Sequence, residues 1–151
     1  MKGQTLIEVL IALSVAVVVI TSVTLIAITS LNNTQSSKNQ EQATKYAQEG
    51  MEIVRKVRNS SYATFAGYNG TYCVAKGQLT LGAQLGSCTT TNINSLYVRS
   101  VQIQPNSGCG VNLSRVVVTV AWSDTKCSTG SYCRKSELVS CFSTVNPVSG
   151  P

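Results

Sequence analysis

Between Val9 and Leu31 the chain reads VLIALSVAVVVITSVTLIAITSL, 23 residues without a charge. No other feature constrains the fold as strongly. A helix rises about 1.5 Å per residue, so a run of this length crosses the ~30 Å hydrocarbon core of a bilayer. Many of the residues are β-branched, which weakens a helix in water. In lipid the backbone must satisfy its own hydrogen bonds, so helix is the expected form. The run is longer than the apolar part of an ordinary secretory signal, and no small-residue cleavage site follows it. The chain continues instead with Asn32, Asn33, Thr34 and Gln35. Lys2 puts a positive charge ahead of the run, which predicts a cytoplasmic N-terminus.

The remainder has room for one small domain within the 151 residues. Charged residues make up 12% of the chain and the net charge is +6. There is no histidine, which excludes histidine catalysis and histidine metal ligation. The acids are Glu8, Glu41, Glu49, Glu52, Asp124 and Glu137. Beyond residue 58 only Asp124 and Glu137 remain, too few to activate a nucleophile without a histidine. The composition therefore argues against an enzyme, and no cofactor is expected. The six cysteines, Cys73, Cys88, Cys109, Cys127, Cys133 and Cys141, all lie downstream of the first 72 residues. That clustering predicts disulfides formed in an oxidising compartment. No CxxC spacing occurs among them, which disfavours a zinc site.

One acid stands immediately before the uncharged run. A carboxylate at the edge of a membrane helix is costly and needs either a partner or the headgroup region. That acid is Glu8, within Lys2-Gly3-Gln4-Thr5-Leu6-Ile7-Glu8-Val9-Leu10. The segment resembles the start of type IV pilin and type II secretion pseudopilin precursors. Those precursors have a short basic leader ending in Gly, an acid five residues after the cut, and about 20 apolar residues. The resemblance implies cleavage between Gly3 and Gln4 by a prepilin peptidase. It also implies an assembly role for Glu8, with Thr5 beside it in the motif. Gln4 departs from the Phe or Met most common at the mature terminus, so N-methylation stays open. Archaeal pilin-type signals share the Gln and remain an alternative source.

Downstream, Ala43, Ala47, Gly50, Ile53, Val54 and Val57 recur at spacings of three and four, one face of a helix. Glu41 with Lys45 and Glu52 with Lys56 stand four apart in the favourable order. Arg55, Lys56 and Arg58 crowd the last turn, where cations suit the helix dipole. One helix is expected from about Thr5 to Arg58, with its weakest stretch in the polar segment 32–39. Gly50 is costly in a helix unless another element approaches closely. Residues 59–95 are rich in Gly, Ser, Thr and Asn and predict a long irregular connection, which Cys73 and Cys88 could staple.

Three strands follow, at about Leu96–Gln104, Val111–Trp122 and Arg134–Val145. If Cys127 faces Cys133 across the last hairpin, Val118 opposes Phe142, Val120 opposes Ser140 and Trp122 opposes Leu138. Alternation then places Val116, Val118, Val120 and Trp122 on the core face, with Val117, Thr119, Val139 and Cys141 on the other. Cys141 is free to reach Cys109. The fold expected is α+β, a long helix packed on a small antiparallel sheet, as the resemblance also implies. The organisation is a leader at 1–3, a membrane or filament-core helix at 4–31, an amphipathic continuation at 32–58, and a disulfide-braced head at 59–151.

The resemblance implies a structural subunit of a type IV pilus or a type II secretion-like filament. Such a subunit sits first in the inner membrane with its N-terminus cytoplasmic. Its partners are other pilin subunits, the prepilin peptidase and an inner-membrane assembly platform. A minor tip subunit acting as an adhesin or in DNA uptake is the alternative reading. The head holds Lys76, Arg99, Arg115, Lys126, Arg134 and Lys135 against Asp124 and Glu137. The balance is basic, but no dense cluster for nucleic acid forms along the sequence.

Overall fold

The computed structural model describes residues 4–124, 127–128 and 130–145; for Gln4 and Thr5 it describes the backbone. α1 (Gln4–Ser60) is one helix of 57 residues. The chain divides into two compact units, Met1–Asn39 and Gln40–Pro151, so α1 contributes to both. In the first unit the helix is exposed from Leu6 to Lys38. The second unit begins inside the helix and holds all the remaining elements, which are α2 (Tyr62–Ala66), β1 (Gly70–Cys73), β2 (Gln84–Leu85), β3 (Tyr97–Pro105), β4 (Leu113–Trp122) and β5 (Arg134–Ser143).

The five strands form one open antiparallel sheet in the order β2-β1-β3-β4-β5. The fold is therefore α+β. One face of the sheet presents Tyr97, Val101 and Ile103 from β3, and Val116, Val118, Val120 and Trp122 from β4. These residues share a core with Ala43, Ala47, Met51, Ile53, Val54 and Val57 of α1. The helical period of the one and the twofold period of the other thus bury the same cluster. Phe65 of α2 closes the lower end edge-to-face on Phe142, with ring centroids 6.1 Å apart. At the other end Tyr97 stands between Tyr46, at 5.3 Å, and Trp122, at 6.0 Å.

Two expectations change. The segment after α1 is more ordered than its composition suggests. It contains α2, capped by the Ser61 hydroxyl, which accepts from the Thr64 N–H at 3.2 Å. It also contains β1 and β2, which widen the sheet from three strands to five. β1 has four residues, Gly-Thr-Tyr-Cys, and no local pattern marks it as a strand. Its register comes from a distant partner, with Tyr72 opposite Val101 on β3.

The β4–β5 register also differs. Trp122 pairs with Arg134, Val120 with Ser136, Val118 with Leu138, and Ser114 with Phe142. This is a slide of four residues along β5 from the expected pairing. Side chains alternate with period two, so an even slide leaves every residue on its expected face. Apolar alternation therefore cannot distinguish the two registers. The ladder closes at Trp122 and Arg134, and the Cys127–Cys133 bridge braces the connecting loop beyond it, not a facing strand pair. The observed register sets the Ser136 hydroxyl 3.1 Å from that of Thr44, joining sheet to helix. On the outer face Val139 is exposed as expected, whereas Val117 is buried on β4, between β3 and β5, flanked by Gln102 and Val139.

The cysteines form the three expected pairs, Cys73–Cys88, Cys109–Cys141 and Cys127–Cys133, separated by 15, 32 and 6 residues. Loop entropy makes the longest closure worth about 4 kcal/mol and the shortest about 2 kcal/mol. Cys109–Cys141 also ties the edge strand β5 to the β3–β4 loop. Cys141→Ser should therefore lower the thermal midpoint of the full chain in detergent more than Cys127→Ser does. Differential scanning calorimetry of the two variants measures the difference, and equal losses would contradict this account.

Candidate functional site

The sequence motif and the first unit of the structure meet on α1. Gly3 lies outside the described residues, and Gln4 and Thr5 are the first helical positions. Glu8 is exposed on the same helix, one turn beyond Gln4. The large apolar side chains from Leu6 to Leu31 are all more than half exposed, from 51% at Ile28 to 70% at Leu31. The most apolar 18-residue window has a mean hydropathy of 2.8. A soluble surface does not carry an apolar area of this extent without a partner. The helix is long and apolar enough to cross a membrane.

Its hydroxyl groups fit the same medium. Ser14 donates to the Ile11 carbonyl at 2.8 Å, Ser22 to Val18 at 2.7 Å and Thr24 to Ile20 at 2.8 Å. Thr21 and Thr29 each reach carbonyls three and four residues back. In lipid an unsatisfied polar group costs several kcal/mol, and these donors are satisfied within their own helix. Glu8, the acid immediately before this stretch, is exposed.

The second unit carries its own charged centre, at Arg99. The side chain is fully buried. Its Nε donates to the Val74 carbonyl at 3.1 Å, Nη1 to the Tyr46 carbonyl at 3.0 Å and Nη2 to the Ala75 carbonyl at 2.9 Å. The Glu49 carboxylate lies 3.4 Å from Nη1 and is partly open to solvent. Burial pulls the guanidinium below its ordinary pKa, and Glu49 opposes that shift. Nearby, burial raises the pKa of Tyr97, and the charge of an ionised Tyr46 hydroxyl adds to the shift; the Tyr97 hydroxyl bonds Gln42 Oε1 at 3.0 Å.

Space for Arg99 exists because residue 50 has no side chain. A Cβ on Gly50 would lie 2.8 Å from Val118 Cγ1 and 3.1 Å from Arg99 Cδ. The close approach that could justify this glycine is thus real. Arg99 itself counts as surface charge when residues are merely tallied. The signal that marks it is alternation, because Tyr97, Arg99, Val101 and Ile103 share the core face of β3.

Asp124, Cys127 and Cys133 also converge, within 4.8 Å. Both sulfurs belong to one disulfide and offer no thiolate to a metal, and Asp124 is ion-paired to Arg134 at 2.8 Å. Taken together, a long apolar N-terminal helix followed by an antiparallel sheet is a pilin-like architecture. No protein-family model matches the chain, and no curated protein or solved structure matches it either.

Replacing Arg99 by Met keeps the stem but leaves the Val74 and Ala75 carbonyls without this donor. The expected loss is about 3 kcal/mol, against less than about 1 kcal/mol for Glu49→Gln, whose carboxylate is partly exposed. Chemical denaturation of the full chain in detergent gives both values. An equal loss in the two variants would mean that the ion pair, and not the carbonyl cage, holds the cation.

Proposed function

We propose that this protein is a structural subunit of a membrane-assembled filament of the type IV pilus or type II secretion kind. The observation that carries the reading is the continuity of α1. One helix bears the acid Glu8, then an exposed apolar run, then the buried face of a disulfide-braced head. In this reading the helix first anchors the chain in the cytoplasmic membrane, with Lys2 on the cytoplasmic side. A prepilin peptidase cuts after Gly3, and the apolar run then passes into the apolar core of the filament. Removed from lipid headgroups and water, an unpaired Glu8 would cost several kcal/mol. The amine freed at Gln4, in the same or a neighbouring subunit, neutralises it. Only subunits at the correct axial stagger make that pair, so Glu8 selects the stagger.

Processing gives the first test. Mass analysis of the protein extracted from its native membrane should find Gln4 at the mature N-terminus. A terminus beyond Leu31 would instead identify an ordinary signal peptide and reject the proposal.

Assembly gives the second. Glu8→Ala preserves the apolar run, so the variant should insert and be processed as before but be lost from sheared filaments. Membrane and filament fractions compared by immunoblot measure both steps. Normal incorporation of the variant would remove Glu8 from the mechanism.

A further inference from the structure

Among the described residues of the head, the loop between β3 and β4 gathers four positive-φ residues within seven. From Asn106 to Asn112 the sequence is Asn-Ser-Gly-Cys-Gly-Val-Asn. Asn106, Gly108, Gly110 and Asn112 have positive φ, at 53°, 72°, 108° and 60°, while Ser107, Cys109 and Val111 do not. The sign of φ therefore alternates over seven successive residues. Where right- and left-handed backbone conformations alternate, neighbouring N–H groups can converge into a concavity that suits an anion. Asn106 N–H is used within the fold, donating to the Leu113 carbonyl at 2.9 Å. Among the described residues, none of the N–H groups from Ser107 to Asn112 donates to a protein acceptor.

The side chains keep this backbone open. Gly108 and Gly110 have none. The Cys109 side chain is drawn away into its disulfide with Cys141 on β5. Arg115 stands directly opposite Cys141 in the ladder, on the same outer face. Its stem passes beneath the loop, with Cδ 3.5 Å from where a Cβ on Gly108 would stand. One arm of its guanidinium, Nη1, is held by Gln104 Oε1 at 3.2 Å, which leaves the other N–H groups available.

The charge around the loop favours an anion. Glu41, Glu49, Glu52, Asp124 and Glu137 are each ion-paired, to Lys45, Arg99, Arg55, Arg134 and Lys135. Arg115 has no carboxylate partner among these pairs. The loop itself contains no acid.

We infer that the Asn106–Asn112 loop and Arg115 form an oxyanion site that takes a phosphate group. The backbone N–H groups bond the phosphoryl oxygens, and the guanidinium supplies the compensating charge. This site lies on the head and does not depend on the filament reading.

The test is an amide-resolved NMR titration of the full chain in non-ionic detergent, with inorganic phosphate as the probe. A second arm uses dimethyl phosphate, and sodium chloride at matched ionic strength is the control. Saturable shifts at Gly108 and Gly110 in the phosphate arm, absent with chloride, are the expected result. Saturation with dimethyl phosphate as well identifies a phosphodiester as an acceptable source. Saturation with inorganic phosphate alone restricts the ligand to the free ion. Arg115→Gln should weaken binding about tenfold while the amide positions of β3 and β4 stay in place. Gly110→Ala, strained at its positive φ, should weaken binding without touching the charge. No saturable shift, equal shifts with chloride, or unchanged affinity in Arg115→Gln would each overturn the site.

Discussion

The head is organised around a cation with no access to water. A buried guanidinium forfeits its hydration, and the loss is tolerable only when its donors are matched. Arg99 finds those matches in three carbonyls from two separate parts of the chain and one carboxylate. Tyr46 and Glu49 belong to α1, whereas Val74 and Ala75 follow β1. β3, which carries Arg99, is thereby tied to the helix on one side and to the first strand's exit on the other. Asn92 completes the anchor, accepting from the Arg99 N–H at 2.8 Å and donating to its carbonyl at 2.9 Å. A misplaced strand would leave the charge buried without partners, so the interaction selects one packing among many that are equally apolar.

The requirement extends to neighbouring residues. Gly50 costs about 1 kcal/mol of helix propensity relative to Ala. The vacancy it leaves admits both Arg99 and Val118 against the helix. Small residues at Ala43 and Ala47 line the same buried face of α1. At the far end of the helix Arg58 lies over the rings of Phe142 and Tyr62, at 5.4 and 5.6 Å, and seals the core where α2 turns back. The disulfides then hold the parts that such a small core secures least, namely the β1–β2 region, the β5 edge and the last hairpin loop.

The membrane-compatible half of the helix follows a different logic. Its large apolar side chains from Leu6 to Leu31 are exposed, and the hydroxyls of Ser14, Thr21, Ser22, Thr24 and Thr29 bond back to their own helix. Glu8 is the exception. In the head all the acids are neutralised internally, whereas Glu8 has no base on the apolar stretch beside it. The two halves of one helix thus place opposite demands on their surroundings. The first half exposes its apolar side chains, and the second buries a face in the core of the head.

Much of this was legible in the residues themselves, because it rests on local periods. The three-and-four spacing from Ala43 to Val57 and the alternation along β4 each determine an element and its buried face, and the 23-residue uncharged run determines a helix that is exposed. The three disulfide pairs match expectation, although Cys127–Cys133 closes a loop and not the facing strand pair from which it was expected. Three things were decided only by tertiary structure. The strands β1 and β2 exist because β3 offers β1 an edge and β1 in turn offers one to β2, and four residues of Gly-Thr-Tyr-Cys carry no period of their own. The β4–β5 register slid by four because alternation determines parity and not position. The burial of Arg99 required a cage of carbonyls drawn from distant segments, and backbone carbonyls are the same at every residue, so no sequence pattern announces where they will converge.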